Sequence, residues 1–126
     1  MGTMGDLGGR YAAYTTRLVD GVLASPGHTP AELRRAVLAR AFGTPGEDIP
    51  PALAAYVDKV ARHAYRVTDE DLAALQRAGN SDDALFELTV SAALGAALGR
   101  LERGLAALRE SSPPVPLSAT RRGGTQ

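Results

Sequence analysis

The residues that could do chemistry in this chain are few. Tyr56, Lys59 and His63 recur at spacings of three and four, which puts them on one face of a helix. A histidine beside a lysine and a tyrosine can serve as acid, base or anion anchor. The competing reading is a boundary stripe of amphipathic side chains packed at an interface. Glu87 falls seven residues before Leu94, in register with an apolar ridge. A carboxylate there is costly unless paired, and a pocket glutamate with a raised pKa is a candidate general base. Against that stands a first-turn glutamate favoured by the helix dipole and still touching solvent. Glu87 and His63 are therefore the catalytic candidates, and Tyr56 and Lys59 the ligand-binding ones. His28 lies in a Pro/Gly break and reads as exposed and inert. Two histidines without H-x-x-x-H or H-x-x-E spacing give no reason to expect a metal. The chain contains no cysteine, which excludes disulfides, thiolate nucleophiles, zinc thiolate sites and iron–sulfur clusters. No cofactor is expected.

These side chains must be positioned by helices. The chain has 126 residues, enough for one modest core, and its apolar share of 44% includes only 5% aromatics. Alanine and leucine supply most of the rest, which favours closely packed helices over a β-sandwich. Residues 1–9 are glycine-rich and read as a flexible lead-in, not a signal peptide. A first helix is expected over residues 10–24, with Tyr11, Tyr14, Leu18 and Val22 as its apolar stripe. Thr29, Pro30 and Glu32 form a T-x-x-E start for a second helix that Gly43 ends. Pro51 opens a third, with a seam at Leu53, Val57, Val60, Ala64 and Val67. Thr68-Asp69-Glu70-Asp71 starts a short fourth helix that buries Leu72 and Leu75 and closes at Gly79. Residues 111–126 are rich in Pro, Ser and Gly without periodicity and read as a disordered tail.

The fifth helix, expected over residues 82–109 behind a Ser81-Asp82-Asp83 cap, is the longest and is apolar on two faces. Val90, Leu94, Leu98, Leu101, Leu105 and Leu108 form a leucine ridge. Leu85, Leu88, Ala92, Gly95, Ala96 and Gly99 form a smooth face of mostly small residues. Glycine inside a helix costs about 1 kcal/mol relative to alanine, so Gly95 and Gly99 imply a close helix approach. The smooth face is expected to pack within the protomer and the ridge against a second copy. Acidic and basic residues balance at 14 each, which removes the simplest case for nucleic acid or an anionic membrane. The helix–turn–helix shape around Gly79-Asn80 would bring Asp82, Asp83 and Glu87 against phosphate, so it is not read as a DNA reader. The longest apolar run, residues 88–98, is too short to span a membrane.

Residues 56–108 resemble the C-terminal helices of the alkylhydroperoxidase D-like family, also called the carboxymuconolactone decarboxylase family. The likeness is carried by Lys59-Val60-Ala61-Arg62-His63-Ala64-Tyr65-Arg66-Val67-Thr68-Asp69-Glu70-Asp71-Leu72, by Ala78-Gly79 before Ser81-Asp82-Asp83, and by Phe86-Glu87-Leu88 with the small-residue helix to Arg100-Leu101. The resemblance implies an all-α fold that assembles as dimers, trimers or hexamers. Peroxidase members of that family use a C-x-x-C pair with a nearby His and Glu, and this chain lacks the pair. The expectation is a soluble, cytoplasmic, single all-α domain of about five helices over residues 10–110, oligomeric through its long last helix. It would be a non-peroxidase member that binds a small ligand at a subunit boundary or has an undefined lyase-like activity. The alternative is a structural or protein-interaction subunit with no catalytic site.

Overall fold

Two glycines decide how the molecule is put together. In the computed structural model, which describes residues 4–24, 26–44 and 48–111, the C-terminal helix lies directly on the backbone of the second one. A Cβ added at Gly95 would collide with the carbonyl oxygen of Leu38, and one at Gly99 would come within 2.7 Å of the Phe42 carbonyl oxygen. Only a residue without a side chain permits this approach. Both are buried, along with Leu85, Leu88, Ala92 and Ala96 of the same face. The smooth face therefore packs within the protomer, as expected from its small residues.

The described residues form five α-helices and no strand: α1 Met4–Ala24, α2 Ala31–Phe42, α3 Pro51–His63, α4 Asp69–Arg77 and α5 Asp82–Ser111, with a 3₁₀ turn Ala64–Arg66 after α3. α5 packs most extensively on α2, then on α3. The core is Val37, Leu53, Tyr56, Val57, Leu75, Leu85, Leu88 and Ala92, drawn from α2 to α5. Burying each large aliphatic side chain among these contributes about 1.5–3 kcal/mol before entropy is counted. Polar ties fix the helices around it. Arg40 on α2 donates both Nε and Nη2 to the Asp58 carboxylate on α3, each at 2.8 Å. That pairing holds the Asp58 carboxyl below its usual value. Arg100 on α5 donates to the Ala61 carbonyl at 2.6 Å.

Several local expectations are met and several are not. Thr68 caps α4 in a capping box with Asp71, and Gly79, at φ 108°, lets the chain turn back. Asn80 then donates through Nδ2 and its backbone N–H to the Leu75 carbonyl. The T-x-x-E box at α2 does not form: Pro30 is the N-cap, and the Thr29 hydroxyl is engaged by another helix. α1 takes in residues 4–9, assigned above to a flexible lead-in. No proline interrupts them, and each added helical residue gains a hydrogen bond. The α3 seam is cut short, because the helix ends at His63 and Ala64 belongs to the 3₁₀ turn. The leucine ridge also divides. Leu94, Leu98 and Leu105 are half-buried, while Val90, Leu101 and Leu108 are exposed; Leu98, Leu101 and Leu105 line a groove of ≈ 300 Å³ against α1. Residues 112–126 of the expected tail lie outside the described residues.

α5 is longer than the apolar run expected from the sequence, and by length and composition it could cross a membrane. Some 44% of that apolar stretch is buried inside the fold, on the side that packs against α2.

The backbone contact at α5 yields a first prediction. Gly95→Ala should lower unfolding free energy by about 1–3 kcal/mol, because the methyl must displace backbone. Gly21→Ala on α1, where an added Cβ meets nothing within 4 Å, should be neutral or stabilise by up to about 1 kcal/mol. Urea unfolding of the two variants against wild type checks the pair.

Candidate functional site

The most heavily engaged polar group is the carboxylate of Glu87, in the second turn of α5. It reaches into the α1–α2 connection, where a run of backbone without regular structure offers unpaired N–H groups. Glu87 Oε2 accepts from the His28 backbone N–H at 2.7 Å and lies 3.2 Å from His28 Nδ1. Oε1 accepts from the Thr29 backbone N–H at 2.9 Å and from the Thr29 hydroxyl at 2.7 Å. Arg34 Nη1, from the first turn of α2, stands 3.7 Å from Oε1. Arg34 also donates to the Leu23 carbonyl at the end of α1, so one guanidinium links three helices. Gly27 makes the arrangement possible, since a Cβ there would collide with the Arg34 guanidinium and the Glu87 carboxylate.

The electrostatic consequence follows from those donors. They stabilise the ionised form, foremost the His28 backbone N–H and then the Thr29 hydroxyl, and hold the Glu87 carboxyl down at about 2 against an ordinary 4.5. A raised pKa was the condition for a general base here, and the shift runs the other way. A carboxylate whose lone pairs are filled by protein donors is a poor proton acceptor and a good anchor. Glu87 is thus positioned to hold the α1–α2 loop against α5. Its partners His28, Thr29 and Arg34 were not identified from the sequence, although a carboxylate in register with an apolar ridge implied that partners existed. Thr29 was hidden because its place before Pro30 matches a helix cap equally well.

The other candidates lie elsewhere and have partners of their own. Tyr56 is only 5% exposed, and its hydroxyl is 2.8 Å from Thr89 Oγ1. Because the Thr89 hydroxyl donates to the Leu85 carbonyl, the tyrosine is the donor of that pair. Lys59 Nζ binds both Asp71 oxygens, at 3.1 and 2.9 Å, and Asp71 is held below its usual pKa first by Lys59 and then by the Thr68 backbone N–H. Tyr56 and Lys59 meet at a cleft of ≈ 120 Å³ that neither His63 nor Glu87 lines. His63 ends α3, where the backbone leaves helical conformation at φ −144° and ψ 54°, and its exposed ring meets Tyr65 edge-on at 5.9 Å. The face shared by Tyr56, Lys59 and His63 in an ideal helix is therefore broken at its last member. Among the described residues no group of three or more His, Cys, Asp or Glu could hold a metal ion. The chain matches no family model, no curated protein and no solved structure.

The Glu87 anchor predicts a pH dependence. Its folded pKa lies below its unfolded one, so its stabilisation is complete above about pH 4.5 and is lost as pH falls towards about 2. Glu87→Gln should lower Tm at pH 7 by roughly 5 °C. It should also flatten the fall in stability between those two pH values. Thermal unfolding of both proteins across that range measures it, and parallel curves would contradict the anchor.

Proposed function

We propose that this chain is a structural subunit that works by self-association through α5, with no catalytic site built from the residues its sequence singles out. What carries the reading is the large apolar side chains left at the surface of α1 and α5: Tyr14 and Leu18 on the first, Phe86, Val90, Leu101 and Leu108 on the second. Apolar surface that is contiguous along a helix invites association, and a lone protomer would carry it as an aggregation liability. Separate positions for Tyr56, Lys59, His63 and Glu87, with all but His63 held by polar partners within the protein, weigh in the same direction, since catalysis needs groups that converge on a reacting atom. The alkylhydroperoxidase D-like fold stays within the proposal on the V-T-D-E-D-L and A-G-x-S-D-D segments, without that family's thiol chemistry. A cytoplasmic setting is proposed with it.

A small-ligand reading has one observation in its favour. A groove of ≈ 310 Å³ lies between α3, α4 and α5, lined by Leu72, Leu85 and exposed Phe86, with the Tyr56–Thr89 hydroxyl pair at its wall. A flat, weakly polar molecule suits such a lining, and Phe86 would bring it to the edge of an α5 interface.

The test of self-association is sedimentation of the full chain. Wild type should sediment as an oligomer at micromolar concentration. Leu108→Asp, at a position 52% exposed, should weaken assembly at least about tenfold while leaving the fold intact, because a carboxylate would be desolvated only in the complex. A wild-type monomer at high micromolar concentration contradicts the proposal.

A further inference from the structure

The exposed residues of α5 have a repeat of their own. Phe86, Val90, Ala93, Ala97, Leu101, Gly104 and Leu108 are all exposed, and none is charged. Their spacings run four, three, four, then four, three, four, an eleven-residue repeat. Such a repeat corresponds to about 3.67 residues per turn, so the stripe stays nearly in line along a straight helix. It extends about 33 Å at ~1.5 Å per residue. The stripe keeps Val90, Leu101 and Leu108 of the leucine ridge, whose other members Leu94, Leu98 and Leu105 turn towards the protomer.

Size alternates along it in a way that favours one pairing. Laid antiparallel about a two-fold axis at Ala97, Val90 of one helix meets Gly104 of the other, Ala93 meets Leu101, and Phe86 meets Leu108. On either side of the central Ala97–Ala97 level a large side chain faces a small one, and an added Cβ at Gly104 would meet nothing within 4 Å in the protomer. A parallel pairing would set each residue against itself, Leu101 on Leu101 and Gly104 on Gly104, crowding one level and leaving a gap at the next. Charge points the same way. α5 carries Asp82 and Asp83 in its first turn and Arg109 beside Glu110 in its last, so antiparallel helices bring the acidic end of each within about a turn of the other's Arg109 instead of against a second acidic end. A parallel pair would bring the two acidic first turns together. Helix dipoles also oppose favourably only in the antiparallel arrangement.

We infer that a second copy of this chain docks on α5 as an antiparallel, two-fold pair along the stripe from Phe86 to Leu108. The inference rests on the self-association proposed above and adds its face, register and direction. The interface is isologous, so it closes at two copies.

The absence of native cysteine makes the test direct. Phe86→Cys and Leu108→Cys chains are prepared separately, one bearing a mass tag, and mixed before mild oxidation. Both positions are well exposed in the protomer, at 70% and 52%, so the variants should fold. The expected product is a disulfide between the two different chains, with each variant alone giving little self-cross-linking. Ala97→Cys, on the two-fold axis, should cross-link to itself. Cross-links of Phe86→Cys to itself and of Leu108→Cys to itself would mean a parallel pair and overturn the inference. No cross-link from any variant, with wild type sedimenting as a dimer, would place the interface on another face and overturn it too while leaving self-association standing. A monomeric wild type would instead defeat the underlying proposal.

Discussion

The close approach of α5 to α2 is the constraint on which the rest of the structure depends. Where Gly95 and Gly99 rest on the Leu38 and Phe42 carbonyls, the two helix axes cannot rotate against each other without either a collision or a void. That contact sets which face of α5 is inside. It sends Leu85, Leu88 and Ala92 into the core and leaves the line from Phe86 to Leu108 outside. The surface that a partner would meet is thus a consequence of a packing decision made on the opposite side of the same helix.

The Glu87 anchor depends on that rotation as well. With α5 fixed on α2, the Glu87 side chain emerges beside the α1–α2 connection and collects donors from His28, Thr29 and Arg34. A loop whose backbone N–H groups would otherwise need water is thereby satisfied by one carboxylate. The arrangement also explains why α1, which carries little of the core, keeps a defined place: Arg34 holds its C-terminal end at the Leu23 carbonyl while facing the same carboxylate. The energetic role is structural, and the low pKa is its electrostatic trace.

Much of this was legible in the sequence, for physical reasons that can be named. Helix number and type followed from apolar periodicity and from strong local signals such as the Thr68–Asp71 capping box and Gly79. The inward role of Gly95 and Gly99 was legible because a glycine inside a helix has a cost that only close packing offsets. The site was much less legible. Spacing placed Tyr56, Lys59 and His63 on one face, but it could not show that the backbone departs from helix at His63 or that Asp71 would take the lysine. Thr29 gave a correct reading of its chemistry, a hydroxyl before a helix, and a wrong partner, because the competing acceptor lies 58 residues away. Of the eleven-residue stripe, Val90, Leu101 and Leu108 are legible as ridge residues, but Ala93, Ala97 and Gly104 give little signal until exposure is known.

The central claim is that α5 serves two partners at once, α2 through its small-residue face and a second copy through the opposite one. Hydrogen exchange read peptide by peptide, at low and at high micromolar protein, tests it most directly. Amides of residues 92–99 should be strongly protected at both concentrations, since the protomer itself buries that stretch. Those of residues 100–111, where the protomer covers the helix least, should exchange quickly when dilute and slow markedly as concentration rises. Exchange in 100–111 that ignores concentration, or opening that begins in 92–99, would contradict the account.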